Sequence, residues 1–478
     1  MSQAIRVAII DNGINELLLN RKLENSMTVN ESNTCIADTE IIDEQRFPHG
    51  TSCALIFEKY CPGCQLTSIR ILDGNGRGAI QRIYPALEWC LKNQIRLVNL
   101  SLGTTDFRDC EKLKVLVNKC AANGMIIIAA TANSGFVSYP ASFTNVIGVA
   151  TIDSPLNYSK DYIQMGIDSI VPSEHIIRID DKETKTLLSN SYAAPYICAL
   201  IANRLKDDKI VSMKKLKQFA KEQSHVKLAE EGYEPDWVCK AYLSGRGVKS
   251  RAKKYYFETI TGVYDAIQEE IDTVIAFSMS DLEELDIKNK NLIYLGNEDV
   301  HHINIQGFIW SRETRQRQIK YNHYQGNGLE VPVVILAIED TIDQFYLLTE
   351  LKRAFVNGGY HAYVIDMEPE CVLYAIEYMP EPVSDIDAWK NFIESQTFYK
   401  QSDLVIWCIP AEAQDKYLKV YTDCDVQIVL YNEEDHSIME FFFEGEKMEK
   451  RISGSLDRND VEELYDIIKS ILTEEEDG

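Results

Sequence analysis

Positive charge is scarce in this sequence: 49 lysines and arginines stand against 74 aspartates and glutamates, a net charge of −25. Such a surface repels phosphate backbones, so no nucleic acid is expected as a partner, whereas a basic peptide would be tolerated or attracted. Apolar runs long enough to span a bilayer are missing too, and no membrane contact is expected. The chain opens Met1-Ser2-Gln3-Ala4-Ile5-Arg6 and reaches a strand-like run at once, without a charged-then-apolar export segment. The twelve scattered cysteines are therefore expected as reduced thiols in a cytoplasm, with Cys53, Cys90, Cys120 and Cys198 as small core residues.

Nucleotide signatures are absent as well. The second half of the chain has neither Gly-x-x-x-x-Gly-Lys nor Gly-x-Gly-x-x-Gly. Gly74-Asn75-Gly76-Arg77-Gly78-Ala79 mimics a dinucleotide loop between a strand and a helix, but no acidic ribose partner follows at the usual distance. Cys61-Pro62-Gly63-Cys64 looks like half of a zinc or redox site; with no second pair, a plain turn is expected. No cofactor and no metal are expected on these grounds. Repeats and low-complexity tracts are also missing.

What the first two hundred residues do contain is alternation. Short apolar runs at Ile5–Ile10, Leu66–Leu72, Leu97–Leu102, Met125–Ala130 and Val146–Thr151 alternate with helical patterns such as Ile80–Lys92 and Asp109–Asn123. This predicts an α/β fold, a parallel sheet with helices on both faces. Sites in such folds lie beyond the carboxyl ends of the strands. Asp11, Ser101-Leu102-Gly103 and Asn133 all fall at that edge. His49-Gly50-Thr51 opens a helix. The stretch Leu188–Ala202 is apolar on nearly every side, which predicts a buried helix with Pro195 near its start. Ser191 would stand at its mouth, either as an ordinary helix cap or as a nucleophile. The set has an economical chemical reading: Asp11 orients His49, His49 takes the proton of Ser191, and Asn133 with the Ser191 N–H holds an oxyanion.

Six blocks in order carry a resemblance: Asp11-Asn12-Gly13, His49-Gly50-Thr51, Asn99-Leu100-Ser101-Leu102-Gly103, Ala129-Ala130-Thr131-Ala132-Asn133, Tyr139-Pro140-Ala141 and Ser191-Tyr192-Ala193-Ala194-Pro195. Over residues 5–205 the chain resembles the subtilisin-like serine proteases, or subtilases. The resemblance implies that Gly76, Arg77 and Gly78 on one side, and Ser101, Leu102 and Gly103 on the other, clasp the substrate as an added strand. It also implies that Ser138 lines the pocket for the residue before the cut. The chain departs from the pattern in places: Ser189-Asn190-Ser191 replaces Gly-Thr-Ser, and Val171-Pro172-Ser173 replaces Ala-Pro-Gly. Ten residues precede Asp11, so an inhibitory propeptide is not expected.

Residues 1–205 are thus expected as a protease domain, 206–264 as a charged connector, and 265–478 as a second α/β, doubly wound-like domain for substrate recognition or dimerisation. The connector holds a basic cluster at residues 246–254. Arg312, Arg315 and Arg317 with Tyr321 and Tyr324 read as a loop. Asp340, Asp343, Asp366 and Glu368 read as ordinary strand-end carboxylates, with an acidic cleft as the alternative. The expected function is a cytoplasmic serine endopeptidase that matures one peptide or precursor peptide, by analogy with subtilases that trim ribosomally made natural products. A degradative protease and a non-catalytic peptide-binding scaffold remain the alternatives. A homo-oligomer formed through the C-terminal domain is also open.

Overall fold

The structure is a computed structural model that describes residues 4–40, 47–153, 166–179, 182–207, 211–228, 232–244, 255–382, 385–419 and 424–474. Its first sheet has eight strands: β1 (Arg6–Asp11), β2 (Asn25–Val29), β3 (Cys35–Ala37), β4 (Gln65–Arg70), β5 (Leu97–Leu100), β6 (Ile126–Ala130), β7 (Val146–Thr151) and β8 (Ser169–Val171). They lie in the order β3-β2-β4-β1-β5-β6-β7-β8. All pairs are parallel except β2 with β3.

Strands β6 and β7 are buried along their whole length, as a parallel sheet covered on both faces requires. On one face lie α1 (His49–Tyr60) and α4 (Asn190–Asp207), with Cys53, Phe57, Ile197 and Ile201 in the core. On the other lie α2 (Ile83–Lys92) and α3 (Cys110–Ala122), which bury Leu87, Leu113 and Val117. Each such aliphatic side chain contributes about 1.5–3 kcal/mol. Because β1, β5 and β6 run parallel and in register, Asp11, Ser101 and the Asn133 loop emerge from one edge.

Residues 206–264 differ from the connector expected there. Their described part holds α5 (Met213–Glu222), capped by Ser212 and packed by Leu216 and Ala220 into the first core. The Lys217 ammonium of α5 lies 2.6 Å from Asp168, both fully buried. Further on, a second sheet begins before residue 265. It pairs β11 (Lys240–Ser244), β12 (Glu258–Thr259), β13 (Thr273–Ala276), β14 (Asn291–Tyr294) and β15 (Ile309–Trp310), all parallel. The basic cluster at 246–254 lies outside the described residues.

A third sheet follows, in the order β18-β17-β19-β16-β20-β21-β22. Its strands are β16 (Val333–Ile338), β17 (Ala362–Asp366), β18 (Glu377–Tyr378), β19 (Leu404–Pro410), β20 (Val426–Glu433), β21 (His436–Phe443) and β22 (Glu446–Ser453). The first five strands are mutually parallel, β21 runs antiparallel to β20, and β22 runs antiparallel to β21. Helices Gln344–Asn357 and Arg458–Glu474 cover one face, and Ile386–Lys400 covers the other. The segment read as an arginine-rich loop is a helix, Arg312–Lys320, opened by a reciprocal Ser311–Thr314 cap. Burial of Arg315 is compensated by Glu234 at 2.9 Å and Glu377 at 2.8 Å. Two of the four carboxylates at 340–368 have local structural roles. Asp343 caps a helix through the Tyr346 N–H, while Asp366 is buried, accepts the Glu368 N–H at 2.6 Å and is pushed up to about 7 by that burial.

Candidate active site

Asp11 ends β1 with a buried carboxylate. One oxygen accepts the Asn12 N–H at 2.8 Å, and the other lies 2.8 Å from His49 Nδ1. His49 is the first residue of α1. Its helix start is fixed from outside, because the Asn12 side chain accepts the Gly50 N–H at 3.0 Å. Position 50 must be glycine, since a Cβ there would stand 2.5 Å from the Gly13 carbonyl oxygen. Asp11-Asn12-Gly13 and His49-Gly50 are thus one contact seen from two chain positions.

Across the edge, His49 Nε2 lies 3.0 Å from Ser191 Oγ. With Nδ1–H donated to the Asp11 carboxylate, the Nε2 lone pair is left to accept the serine proton. Burial alone would hold the imidazolium pKa down. The Cys53 thiol and the Asp11 carboxylate outweigh that burial and drive it up. Cys53 sits one turn along α1, with Sγ 3.8 Å from Nδ1 and 3.4 Å from Ser101 Oγ.

Ser191 is the second residue of α4, and Pro195 is the sixth, one turn deeper than expected. A proline at that position supplies no N–H to the carbonyl four residues back, which is that of Ser191. The orphaned oxygen accepts the Ser101 hydroxyl instead, at 2.8 Å. Ser101 is in turn held by Asn99 Nδ2 at 3.0 Å. The amide of Asn133 is oriented by the backbone: its oxygen accepts the Asn190 N–H at 3.0 Å. Its Nδ2 therefore faces the nucleophile side, 3.3 Å from Ser189 Oγ. The buried Asn190 side chain ties the same corner together, accepting the Thr151 N–H at 2.8 Å and donating to Thr131 at 3.1 Å.

These groups open onto a cleft of about 950 Å³. Gly76, Arg77 and Gly78 line one wall, and Ser101, Leu102 and Gly103 line another. Gly103 lets the backbone pass close to Tyr139, whose carbonyl oxygen would be 2.7 Å from a Cβ at that position. Ser138 does not line the cleft. It is buried, and its hydroxyl accepts the Ala132 N–H at 2.9 Å, so it shapes the Asn133 loop from behind. The hairpin of β9 (Ile176–Ile179) and β10 (Lys182–Lys185) supplies further lining through Ile177 and Thr184, and Leu187 follows it.

The subtilase family model matches residues 2–280. The chain belongs to the subtilase family. It is 30% identical over 145 residues to Subtilisin BL of Lederbergia lenta, a match covering 30% of this chain and 53% of that protein. It is 28% identical over 158 residues to the minor extracellular protease Epr of Bacillus subtilis (strain 168), covering 30% of this chain and 23% of that one. This subtilase thus spans about half the length, or less, of these curated relatives. It is also similar to a solved cold adapted subtilisin-like serine proteinase, at 17% identity and a TM-score of 0.37, covering 47% of this chain and 84% of that one.

Three residues of this subtilase's site escaped the sequence reading as site residues. Cys53 was legible only as core, although its spacing of four from His49 places both on one helix face. Asn190 and Ser189 act through loop contacts that no spacing signals. Two groups of described residues have the composition of a metal site: Asp11, His49 and Cys53, and Asp299, His301 and Glu313. In the first, the ligand atoms of Asp11 and His49 are already bonded to each other. In the second, the guanidinium of Arg317 lies 2.7 Å from His301 Nε2, a cation where another cation would have to enter. The thiols of Cys61 and Cys64 lie 3.4 Å apart in a turn between α1 and β4. The hydrogen bond from Cys64 holds the pKa of the Cys61 thiol below its ordinary value, assisted by Lys206.

Proposed function

We propose that this subtilase is a serine endopeptidase. One observation carries the reading: a single imidazole bridges the Asp11 carboxylate at 2.8 Å and the Ser191 hydroxyl at 3.0 Å. In the acylation step Ser191 Oγ bonds to the scissile carbonyl carbon while its proton passes to His49 Nε2. The carbonyl oxygen gains the negative charge and lies against Asn133 Nδ2 and the Ser191 N–H. Collapse breaks the C–N bond, and the leaving amine takes the proton from His49. Water then repeats the sequence to release the acid. Asp11 keeps the imidazole in the required tautomer and stabilises its charged form.

The test is hydrolysis of a peptide, together with labelling by a fluorophosphonate. Ser191→Ala is expected to abolish labelling and to lower kcat roughly 10⁴- to 10⁶-fold. Equal turnover by the two proteins would refute the assignment.

The finer reading is a dedicated peptide or precursor substrate, cleaved in the cytoplasm. The net charge of −25 suits a basic segment of such a substrate. The twelve scattered cysteines of the sequence suit a reducing compartment. Selective cleavage of one precursor, with casein spared, is the expected outcome. Broad digestion of casein would favour the degradative reading instead.

A further inference from the structure

Ser189 stands two residues before the nucleophile, and its hydroxyl is in an unusual place. Its Oγ lies 3.0 Å from Ser191 Oγ. It accepts Asn133 Nδ2–H at 3.3 Å and the Ser191 backbone N–H at 3.4 Å. Those two N–H groups are the donors assigned above to the oxyanion. An oxygen touching both of them and the nucleophile occupies the point where a substrate carbonyl oxygen has to sit.

We infer that the Ser189 hydroxyl fills the oxyanion site of the resting enzyme and must be displaced by the substrate before acylation. The inference rests on the serine endopeptidase reading and adds a restraint to it. Two oxygens cannot share the site, because each needs the same pair of N–H donors at hydrogen-bond distance. The backbone of Ser189 cannot retreat easily: its N–H donates to Ser173 Oγ at 3.3 Å and its carbonyl accepts the Tyr192 N–H at 3.1 Å. What can move is the hydroxyl, by rotation about Cα–Cβ into the adjoining cleft, whose lining includes Ser189. The exchange replaces one oxygen by another on the two donors. Its cost is the contact between the two serine hydroxyls, on the order of one net hydrogen bond. Every substrate meets that cost. A peptide bound firmly along Gly76–Gly78 and Ser101–Gly103 can draw on remote contacts to meet it, whereas a small, weakly held ester cannot. The occupied site therefore suppresses casual hydrolysis and leaves a well-bound peptide as substrate.

The experiment compares the full chain with Ser189→Ala, Ser189→Gly and Ser189→Thr, and uses Ser191→Ala as the blank. Two rates are read: second-order labelling by a small fluorophosphonate, and kcat/KM on a small activated ester. Removal of the hydroxyl in the Ala and Gly variants is expected to raise both rates about tenfold, the order of one net hydrogen bond. Ser189→Thr keeps a hydroxyl and should stay near the wild-type rate. Local damage would lower the rates, so a gain cannot arise from a poorly folded variant. Unchanged rates in Ser189→Ala and Ser189→Gly would overturn the inference while leaving the protease reading intact. Slower rates in those two variants, with unchanged melting, would overturn it too, since the hydroxyl would then be donating to the oxyanion. If no protein labels although all of them melt cooperatively, the endopeptidase reading fails and takes this inference with it.

Discussion

Cys53 and Asp11 approach the same nitrogen of His49 from two elements, α1 and β1. Together they favour the imidazolium over the neutral ring, so the His49 pKa lies above the ordinary value of 6.5. The sign for catalysis follows directly. The base acts only when unprotonated, so kcat/KM should rise with pH through a midpoint displaced upward from that value. Asp11→Asn removes a negative charge and should move the midpoint down while lowering kcat by roughly 10⁴-fold. Cys53→Ala should move the midpoint down with a much smaller loss. A pH profile of kcat/KM for the three proteins checks both shifts, and an acid limb that stays put in both variants would contradict the assignment of cause. Asn133 is a separate matter, because its side chain touches neither His49 nor Asp11. Asn133→Ala should lower kcat by about 10²- to 10³-fold with little change in KM, as expected for a donor used mainly in the transition state. Steady-state kinetics on one peptide separates the two parameters.

Among the elements, α5 shows what a charge pattern hides. Lys217 lies on a helix rich in lysine, Met213–Glu222, and reads as solvated surface. In the folded chain its ammonium is buried against Asp168, which also accepts the Gly148 N–H at 2.9 Å and the Tyr233 hydroxyl at 3.0 Å. Lys217→Met leaves that carboxylate short of its counter-charge and should cost about 3–5 kcal/mol in denaturant unfolding. Adding Asp168→Asn should recover much of the loss. The same logic explains which elements were legible. Strands β6 and β7 are apolar on both faces and stand out as continuous runs. Strand β2 is only partly buried, β12 is exposed, and β15 and β18 span two residues each, too short for any periodicity. Within the site, Asp11 and His49 could be read because Gly50 must pack against the Gly13 carbonyl, and Asn133 and Ser191 because they stand at a strand end and a helix start. Only the family resemblance points Ser138 to the pocket wall, whereas its hydroxyl faces inward and accepts the Ala132 N–H. Arg315 reads as a loop residue because the two carboxylates that compensate its buried guanidinium, Glu234 and Glu377, lie far away along the chain.

At the scale of the molecule, the helix Ile386–Lys400 and His361, just before β17, reach two loops beside the cleft. The carbonyl of Tyr399 accepts the Val137 N–H at 2.8 Å, just beyond Asn133. Phe398 lies 5.6 Å from Phe136, ring centre to ring centre. The ring of His361 stacks on Phe107 at 4.5 Å, in the loop that follows Gly103. Thr104 and Tyr139 bridge these two loops to each other. The loop after Asn133 and the segment after Gly103 are thus tied to the C-terminal region as well as to the first sheet. Cutting the chain at residue 265 would separate β11 from its partner β13, so a single side chain gives a cleaner test than a truncation. Phe398 is half exposed, and Phe398→Ala removes an aromatic contact worth about 0.5–1.5 kcal/mol. If that contact sets the wall that long peptides lie against, kcat/KM for an extended peptide should fall about two- to tenfold, mostly through KM. Labelling by a small fluorophosphonate should stay within about twofold, because Ser191 and His49 make no contact with Phe398. Equal losses on both substrates would mean that the Asn133 loop itself has loosened, and the C-terminal region would then be a support for the catalytic groups with no share in reading the peptide.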